Sequence, residues 1–378
     1  MKIILFANTD WYLYNYRLEL AQTLRSNGHE VILVSPEGPF ALRLQELGFR
    51  WICFPMARRG LNPLIELSTI VRLVGLYRRE KPDLVHQFTI KCVLYGSLAS
   101  FLNGIHAVVN SVEGLGYIFT ESKRQRPWLR GLIKLLYRLV LRPTWVIVLN
   151  PDDRQFFLKN RLVNSKRIVM ILGTGVDIRQ YSPRPELKGV SLVVLPARLL
   201  WDKGVGEFVE AARQIRTAGL RARFALVGDS DNGNPASVQV DQLRAWEKEG
   251  VIEWWGWKGN MTDVYAEASI ICLPTYYREG LPKSLIEAAA CGLPIVTTDV
   301  PGCRDVVRHG ENGLLVGTRD SFGLAQALKY LINNPDIRVK MGASGRKIAE
   351  EKFSLELIIP QILAVYKSCI MNRQGIII

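Results

Sequence analysis

Ile270-Ile271-Cys272-Leu273-Pro274-Thr275-Tyr276-Tyr277-Arg278-Glu279-Gly280-Leu281-Pro282-Lys283-Ser284-Leu285-Ile286-Glu287-Ala288-Ala289-Ala290-Cys291-Gly292 is the run that decides how this chain folds. Ile270 to Leu273 is a short apolar strand. Pro282 suits the first turn of a helix. Leu285, Ile286, Ala289 and Ala290 then recur at helical spacing, and Gly292 with Pro294 stops the helix. A loop carrying Glu279 and Gly280 therefore joins a strand end to a helix N-terminus. The free N–H groups there face an anion, and glycine lets backbone approach it closely. Glu287 follows two turns along the helix. A carboxylate is a poor partner for phosphate but a good acceptor for sugar hydroxyls.

Outward from this run, apolar strands alternate with helical patterns along the whole chain. In the first half the strands are Ile3 to Ala7, Val31 to Ser35, Trp51 to Phe54, Leu84 to His86, Val108 to Ser111 and Trp145 to Leu149. The pattern restarts at Leu192 to Pro196 and continues through Ala225 to Val227, Val251 to Trp257, Ile270 to Leu273, Pro294 to Thr298 and Gly313 to Val316. Repeated βα units make parallel sheets with helices on both faces. The fold class is α/β, with two Rossmann-like, doubly wound domains. Residues 1–172 form the first, 173–190 the Gly- and Pro-rich linker, and 191–359 the second. Ligands of such sheets sit at the C-terminal ends of the strands.

Those ends carry the candidate site. Arg198 and Lys203 follow Leu192 to Pro196, and two cations beside a helix N-terminus are what a diphosphate needs. Gly228 ends the next strand; Gly256 and Trp257 end the one after. Among the tryptophans there, Trp255 is expected in the core. In the first half, Asn8, Asp10 and Arg17 follow the first strand, with no GxGxxG, which counts against a dinucleotide-binding dehydrogenase. His86 closes its strand. Glu113, Gly114 and Gly116 form a loop after Val108 to Ser111, where a plain turn is the competing reading. Asp229-Ser230-Asp231 is read as loop, and no metal site is expected.

Composition narrows the class. At 48% hydrophobic and 22% charged residues the chain builds real cores and is not disordered. Six cysteines form no CxxC pair, which points to reduced thiols in the cytosol. The apolar part of the N-terminus is too short for a signal peptide, and no apolar run reaches a transmembrane length. The net charge of +14 is uneven: residues 1–175 hold 24 Lys and Arg against 12 Asp and Glu, or +12, and the remainder hold 25 against 23, or +2. Residues 123–142 contain seven basic residues and no acid. Arg126, Arg130, Lys134, Arg138 and Arg142 recur every fourth position, opposite an apolar stripe with Trp128. A basic amphipathic helix of this kind reads as an anionic membrane surface element. It reads equally as a domain helix, apolar face inward and basic face outward.

Glu279 and Glu287, with seven residues between them and Gly-Leu-Pro after the first, resemble the paired-glutamate motif of retaining family 4 glycosyltransferases with the GT-B fold. The likeness extends to the Arg198–Lys203 spacing, the Val176-Asp177 turn and the Glu113-Gly114-Leu115-Gly116 segment of capsule, O-antigen and lipid-linked oligosaccharide relatives. It implies an interdomain cleft holding a nucleotide-sugar, and a C-terminal helix, about 360–378, crossing back to the first domain. Arg198, Lys203 and the amides of Gly280 and Leu281, ahead of Pro282, would hold the diphosphate. Glu279 and His86 would contact the donor sugar and Glu287 the ribose. Gly228, Gly256 and Trp257 would lie by the base. Asn8, Asp10, Arg17, Glu113, Gly114 and Gly116 would meet the acceptor. The implied reaction moves a hexose or N-acetylhexosamine from a UDP-sugar to a polyprenyl-diphosphate-linked saccharide, without metal or other cofactor. The implied location is cytoplasmic, peripheral on the inner face of the cell membrane. Three other readings stay open here: a GT-B sugar-nucleotide epimerase, a basic nucleic-acid-binding protein lacking any recognised module, and a silent scaffold.

Overall fold

The computed structural model describes residues 1–57, 62–114, 127–185, 187, 189–231 and 233–371, with backbone alone at 127–130, 132 and 133. The chain divides into two units: Met1–Thr174 together with the chain from Ile358 on, and Gly175–Leu357.

The first unit is built on a seven-stranded sheet. Its strands are β1 (Lys2–Phe6), β2 (Glu30–Ser35), β3 (Arg50–Cys53), β4 (Leu84–Phe88), β5 (Val108–Val112), β6 (Trp145–Val148) and β7 (Ile168–Met170), in the order β3-β2-β1-β4-β5-β6-β7. Every pairing is parallel. The order reverses direction at β1, so right-handed crossovers place helices on both faces. α1 (Asp10–Ser26) and α2 (Ala41–Glu46) make the crossovers on one side of β1. α3 (Pro63–Glu80), α4 (Ile90–Leu102), α5 (Pro127–Leu141) and α6 (Pro151–Lys159) make those on the other. Leu73, Leu76 and Tyr77 of α3 and Cys92 and Ala99 of α4 pack on Ile4, Phe6, Ile32, Val34 and Val85. Tyr137 and Leu141 of α5 and Phe157 of α6 pack on Val112, Val146 and Val148. Strand β7 escapes the sequence pattern because three residues are too few to show alternation.

The second unit repeats the plan with β8 (Leu192–Pro196), β9 (Arg223–Val227), β10 (Glu253–Gly256), β11 (Ile270–Leu273), β12 (Ile295–Thr298) and β13 (Gly313–Val316), ordered β10-β9-β8-β11-β12-β13 and all parallel. Its helices are α7 (Val205–Thr217), α8 (Val240–Lys248), α9 (Met261–Glu267), α10 (Lys283–Ala290), α11 (Cys303–Val306), α12 (Ser321–Asn333) and α13 (Pro335–Lys352). Val193 and Leu195 of β8 and Leu226 of β9 are sealed by Phe208, Val209 and Ile215 of α7 and Leu324 and Leu328 of α12. The stretch read as a linker is bonded into this unit. Val176 N donates to Phe353 O at 2.8 Å, Leu355 N to Val176 O at 3.0 Å, and Arg346 Nη1 to the carbonyls of Ile178 and Tyr181. The last helix, α14 (Leu355–Met371), belongs from Ile358 on to the first unit.

Candidate active site

Parallel pairing brings the ends of β10, β9, β8 and β11 to one edge of the second sheet. Lys203 closes a 3-10 turn, Trp201–Lys203, and Gly204 behind it holds φ +78°. A Cβ at Gly204 would stand 2.1 Å from Pro274 O, so glycine is what lets this turn sit against the β11–α10 loop. The Asp202 carbonyl locks the contact, accepting from Tyr276 N (3.0 Å) and Tyr277 N (3.2 Å), with Thr275 Oγ1 3.0 Å away. Lys203 Nζ thereby meets Glu279 Oε1 in an ion pair, and Thr275 Oγ1 donates to the same oxygen at 3.1 Å. The Lys203 ammonium also stands 5.6 Å from the Tyr277 ring centroid. The side chains are 14% and 11% exposed. An ammonium has three donors; one goes to Glu279, and no described residue accepts from the other two.

Glu287 sits one helical repeat deeper. Its carboxylate accepts from Tyr265 Oη at 2.9 Å and lies 3.7 Å from Lys283 Nζ. Burial pushes its pKa up, against the pull of Lys283 and Tyr265. Gly280, Leu281 and Pro282 are buried, with Pro282 at the cap of α10. Arg198 is half-exposed and pairs with Asp231 Oδ2 at 3.0 Å. Asp229 Oδ1 accepts from Trp257 N at 3.1 Å, so both aspartates of the Asp-Ser-Asp run have loop partners. Gly228 N donates to Gly256 O, and Trp257 is exposed beside them. The placement of Trp255 in the core is corrected. Strand alternation turns Trp254 toward the core, against which it packs half-buried, while Trp255, also half-buried, donates to Glu253. Among the described residues, no group of three or more His, Cys, Asp or Glu side chains is placed to hold a metal.

The corresponding edge of the first sheet joins Arg17 and Glu113. The Arg17 guanidinium is buried and pairs with Glu113 Oε1; Tyr12 Oη donates to the same oxygen and accepts from Arg17 Nε (3.1 Å) and Nη2 (2.9 Å). The Phe88 ring lies 4.3 Å below the guanidinium. Burial opposes the Arg17 charge, but Tyr12 and Glu113 outweigh it and raise its pKa. Burial likewise keeps the Tyr12 hydroxyl protonated. Gly114 follows at φ +101°, and Asn8 is half-buried at the end of β1.

Two expectations at this edge fail. Asp10 is buried; its Oδ1 accepts from Trp11 N and its Oδ2 from Phe40 N, both at 2.7 Å. It anchors the loop before α2. His86 does not close its strand, because β4 runs on to Phe88 through pairing of Gln87 and Phe88 with Asn110 and Ser111. The ring is fully buried, with Nδ1 2.6 Å from Tyr366 Oη and Nε2 2.8 Å from Ser111 Oγ. Burial and then Arg17 drive its pKa well below the usual value, so it is a neutral internal strut.

Gly116 and Arg126 lie outside the described residues, as does the side chain of Arg130. Lys134 is turned inward: Nζ donates to Asn160 Oδ1 at 2.9 Å and lies over the Phe156 ring. Arg138 is exposed. The apolar stripe of α5 is also split. Tyr137 and Leu141 face the core, while Leu135, Leu136 and Leu139 are exposed. α4 lies beside both α3 and α5, and these three helices carry ten of the 23 exposed large apolar side chains among the described residues, Val71 and Phe101 included. No described helix is long and apolar enough to cross a membrane. Thr275, Tyr265 and Tyr12 were not singled out from sequence. Their partners lie 4, 22 and 101 residues away, and only the Thr275–Glu279 spacing within one loop gave a local signal.

Comparisons with known proteins agree with this layout. Residues 2–148 match the family described as "Glycosyl transferase 4-like", and residues 191–334 the family "Glycosyl transferases group 1". Over 98% of its length the chain is 25% identical to the whole of the Campylobacter jejuni N,N'-diacetylbacillosaminyl-diphospho-undecaprenol alpha-1,3-N-acetylgalactosaminyltransferase. Over 94% it is 23% identical to the Escherichia coli UDP-Gal:alpha-D-GlcNAc-diphosphoundecaprenol alpha-1,3-galactosyltransferase, of which it covers 93%. The Anabaena HepE structure in complex with UDP and glucose superposes with a TM-score of 0.79 at 19% identity, over 97% of this chain and 100% of that one. The chain therefore belongs to the family 4, group 1 glycosyltransferases of the GT-B fold, and is a glycosyltransferase.

Proposed function

We propose that this enzyme moves a hexosyl or N-acetylhexosaminyl group from a UDP-sugar to a saccharide carried on polyprenyl diphosphate, with retention of anomeric configuration, during surface polysaccharide synthesis. The names of the C. jejuni and E. coli relatives, both acting on undecaprenyl-diphosphate sugars, support the acceptor class. The observation that carries the reading is the Lys203–Glu279–Thr275 cluster at the edge of the second sheet. Lys203 uses one donor to orient Glu279 and turns the others to the donor diphosphate. Glu279 accepts from a hydroxyl of the transferred sugar, and Glu287 from the ribose. Negative charge grows on the leaving diphosphate, where Lys203, Arg198 and the Gly280 and Leu281 amides stabilise it. On the front face the departing phosphate oxygen takes the proton of the acceptor hydroxyl, so the C–O bond to phosphate breaks as the new glycosidic bond forms on the same side. Fixed cations fill the role of a metal ion, and transfer proceeds without one. Gly228, Gly256 and Trp257 border the base; the first unit, with Asn8 and Glu113, takes the acceptor. His86 and Asp10 have no part.

The protein works at the inner face of the cell membrane. The apolar and basic surface of α3, α4 and α5 supports this, since Leu139 and Arg138 stand outward together. The deciding experiment supplies polyprenyl-diphosphate saccharide in anionic vesicles with a panel of UDP- and GDP-sugars, in EDTA, and reads the product anomer by NMR. The expected product is an α-linked sugar from a UDP donor, formed faster in anionic than in neutral vesicles. UDP-sugar interconversion without acceptor would replace this reading with an epimerase.

A further inference from the structure

We infer that Trp11, Tyr16 and Glu113 form a saccharide subsite in the first unit, which grips a neutral pyranose by its face and its hydroxyl edge. The inference rests on the reading above that this unit takes the acceptor. It adds the residues that read the sugar and the class of ring they accept.

The edge is built from two kinds of group. Trp11 stands in the first turn of α1, 38% exposed, although Tyr12 and Leu13 beside it are buried. Its ring lies 5.3 Å from that of Tyr16, tilted by 59°, and Tyr16 stacks on Tyr12 at 5.1 Å and 4°. Three rings thus lead from solvent to the Tyr12 hydroxyl, which bonds Glu113. There the carboxylate is held from one side only. Arg17 and Tyr12 both address Oε1, and no described residue bonds Oε2. The Arg17 side chain is 2% exposed and that of Glu113 15%, so the cation is the buttress and the carboxylate is what is presented.

A buried ion pair is weak ground for stability, since well-packed apolar residues of the same volume do as well or better. Its presence at the ligand edge of the sheet asks for another use. A carboxylate with one oxygen held by two donors, the Tyr12 hydroxyl and the Arg17 guanidinium, is restrained from rotating, and its second oxygen accepts a hydroxyl from a set direction. Flat aromatic faces beside it supply large contact area at little entropic cost. A pyranose has both complements: a face of axial C–H groups and a rim of hydroxyls. A nucleotide base would also stack, but its phosphates would meet the Glu113 charge, so the fit is to an uncharged ring.

The test uses methyl glycosides of glucose, galactose, N-acetylglucosamine and N-acetylgalactosamine as probes, with saturation-transfer NMR on the full chain. At least one glycoside should receive saturation at its axial C–H protons, and Trp11→Ala or Tyr16→Leu should remove it, while UDP affinity stays unchanged. Trp11→Phe should restore most of it. In turnover, Trp11→Ala should raise the acceptor KM about tenfold at nearly constant kcat, the size expected for one lost aromatic face. Glu113→Gln should lower kcat as well. If Trp11→Ala and Tyr16→Leu both keep the wild-type saturation transfer and acceptor KM, the subsite is wrong. Wild-type protein that transfers no sugar from any donor yet still saturates a glycoside through Trp11 would overturn the proposed reaction and leave the subsite standing.

Discussion

The two sheets each carry a cation–carboxylate pair at the edge where their strands end, and the pairs are built in opposite senses. In the first unit Arg17 is deep and Glu113 shallow, with side chains 2% and 15% exposed. The guanidinium spends its fork on Tyr12 and Glu113, and what faces outward is a carboxylate oxygen. In the second unit Lys203 and Glu279 are nearly level, and the ammonium keeps donors to spare beside the Tyr277 ring. Under the proposed function, one edge would receive hydroxyl groups and the other phosphate oxygens. The same ionic pairing thus presents opposite groups according to which partner lies deeper and whether the cation is a rigid fork or a point charge.

Four substitutions break or sharpen that contrast. The largest effect belongs to Lys203→Ala, which removes the charge that the proposed function assigns to the leaving group. Turnover at saturating donor should fall by about 10² to 10³, the usual loss for one such stabilising donor. Steady-state kinetics alongside a thermal melt checks it, and a variant that keeps a tenth of wild-type kcat would refute the assignment. Next, Arg17→Met leaves Glu113 beside an apolar group and should cost about 3–5 kcal/mol of stability, the range for breaking a buried pair. Adding Glu113→Gln should return most of that loss. Denaturant melts of the two single variants and the double variant measure the coupling. No recovery in the double variant would show that the two sites act independently.

The smallest effect is in Glu287→Gln, and it has a sign fixed by pH. Burial raises the Glu287 pKa above its ordinary 4.5, so the folded protein holds the proton more tightly than the unfolded chain. The favourable contribution is complete below 4.5 and disappears as pH rises through the raised value. At pH 8 the glutamine variant should melt slightly above wild type, and near pH 4 the two should coincide. UDP affinity should fall at both pH values. A variant that melts lower at pH 8 would mean that Tyr265 and Lys283 outweigh burial.

The doubly wound plan was legible because apolar runs of strand length alternate with helical periodicity, and the 270–292 run gave the strand, the loop and the helix of the second site in one reading. Lys203 and Glu279 were legible as neighbours of one strand edge. Asp10 and His86 were misread for a common reason: sequence shows position along an element but not depth. His86 is sealed by Tyr366, 280 residues away, and Asp10 by the backbone of Phe40. Trp11 and Tyr16 were passed over because aromatics on an early helix ordinarily signal core, and only exposure separates a platform from packing.

The bond between His86 and Tyr366 has a consequence for how the molecule is made. Synthesis runs from the N-terminus, and domains close as their chain emerges. The second unit is one uninterrupted segment and is fully synthesised by Leu357. The first unit begins earlier but waits for α14 to supply the Tyr366 hydroxyl to His86 and the Cys369 thiol to Val108 O. The half of the enzyme that leaves the ribosome first is therefore the half that matures last.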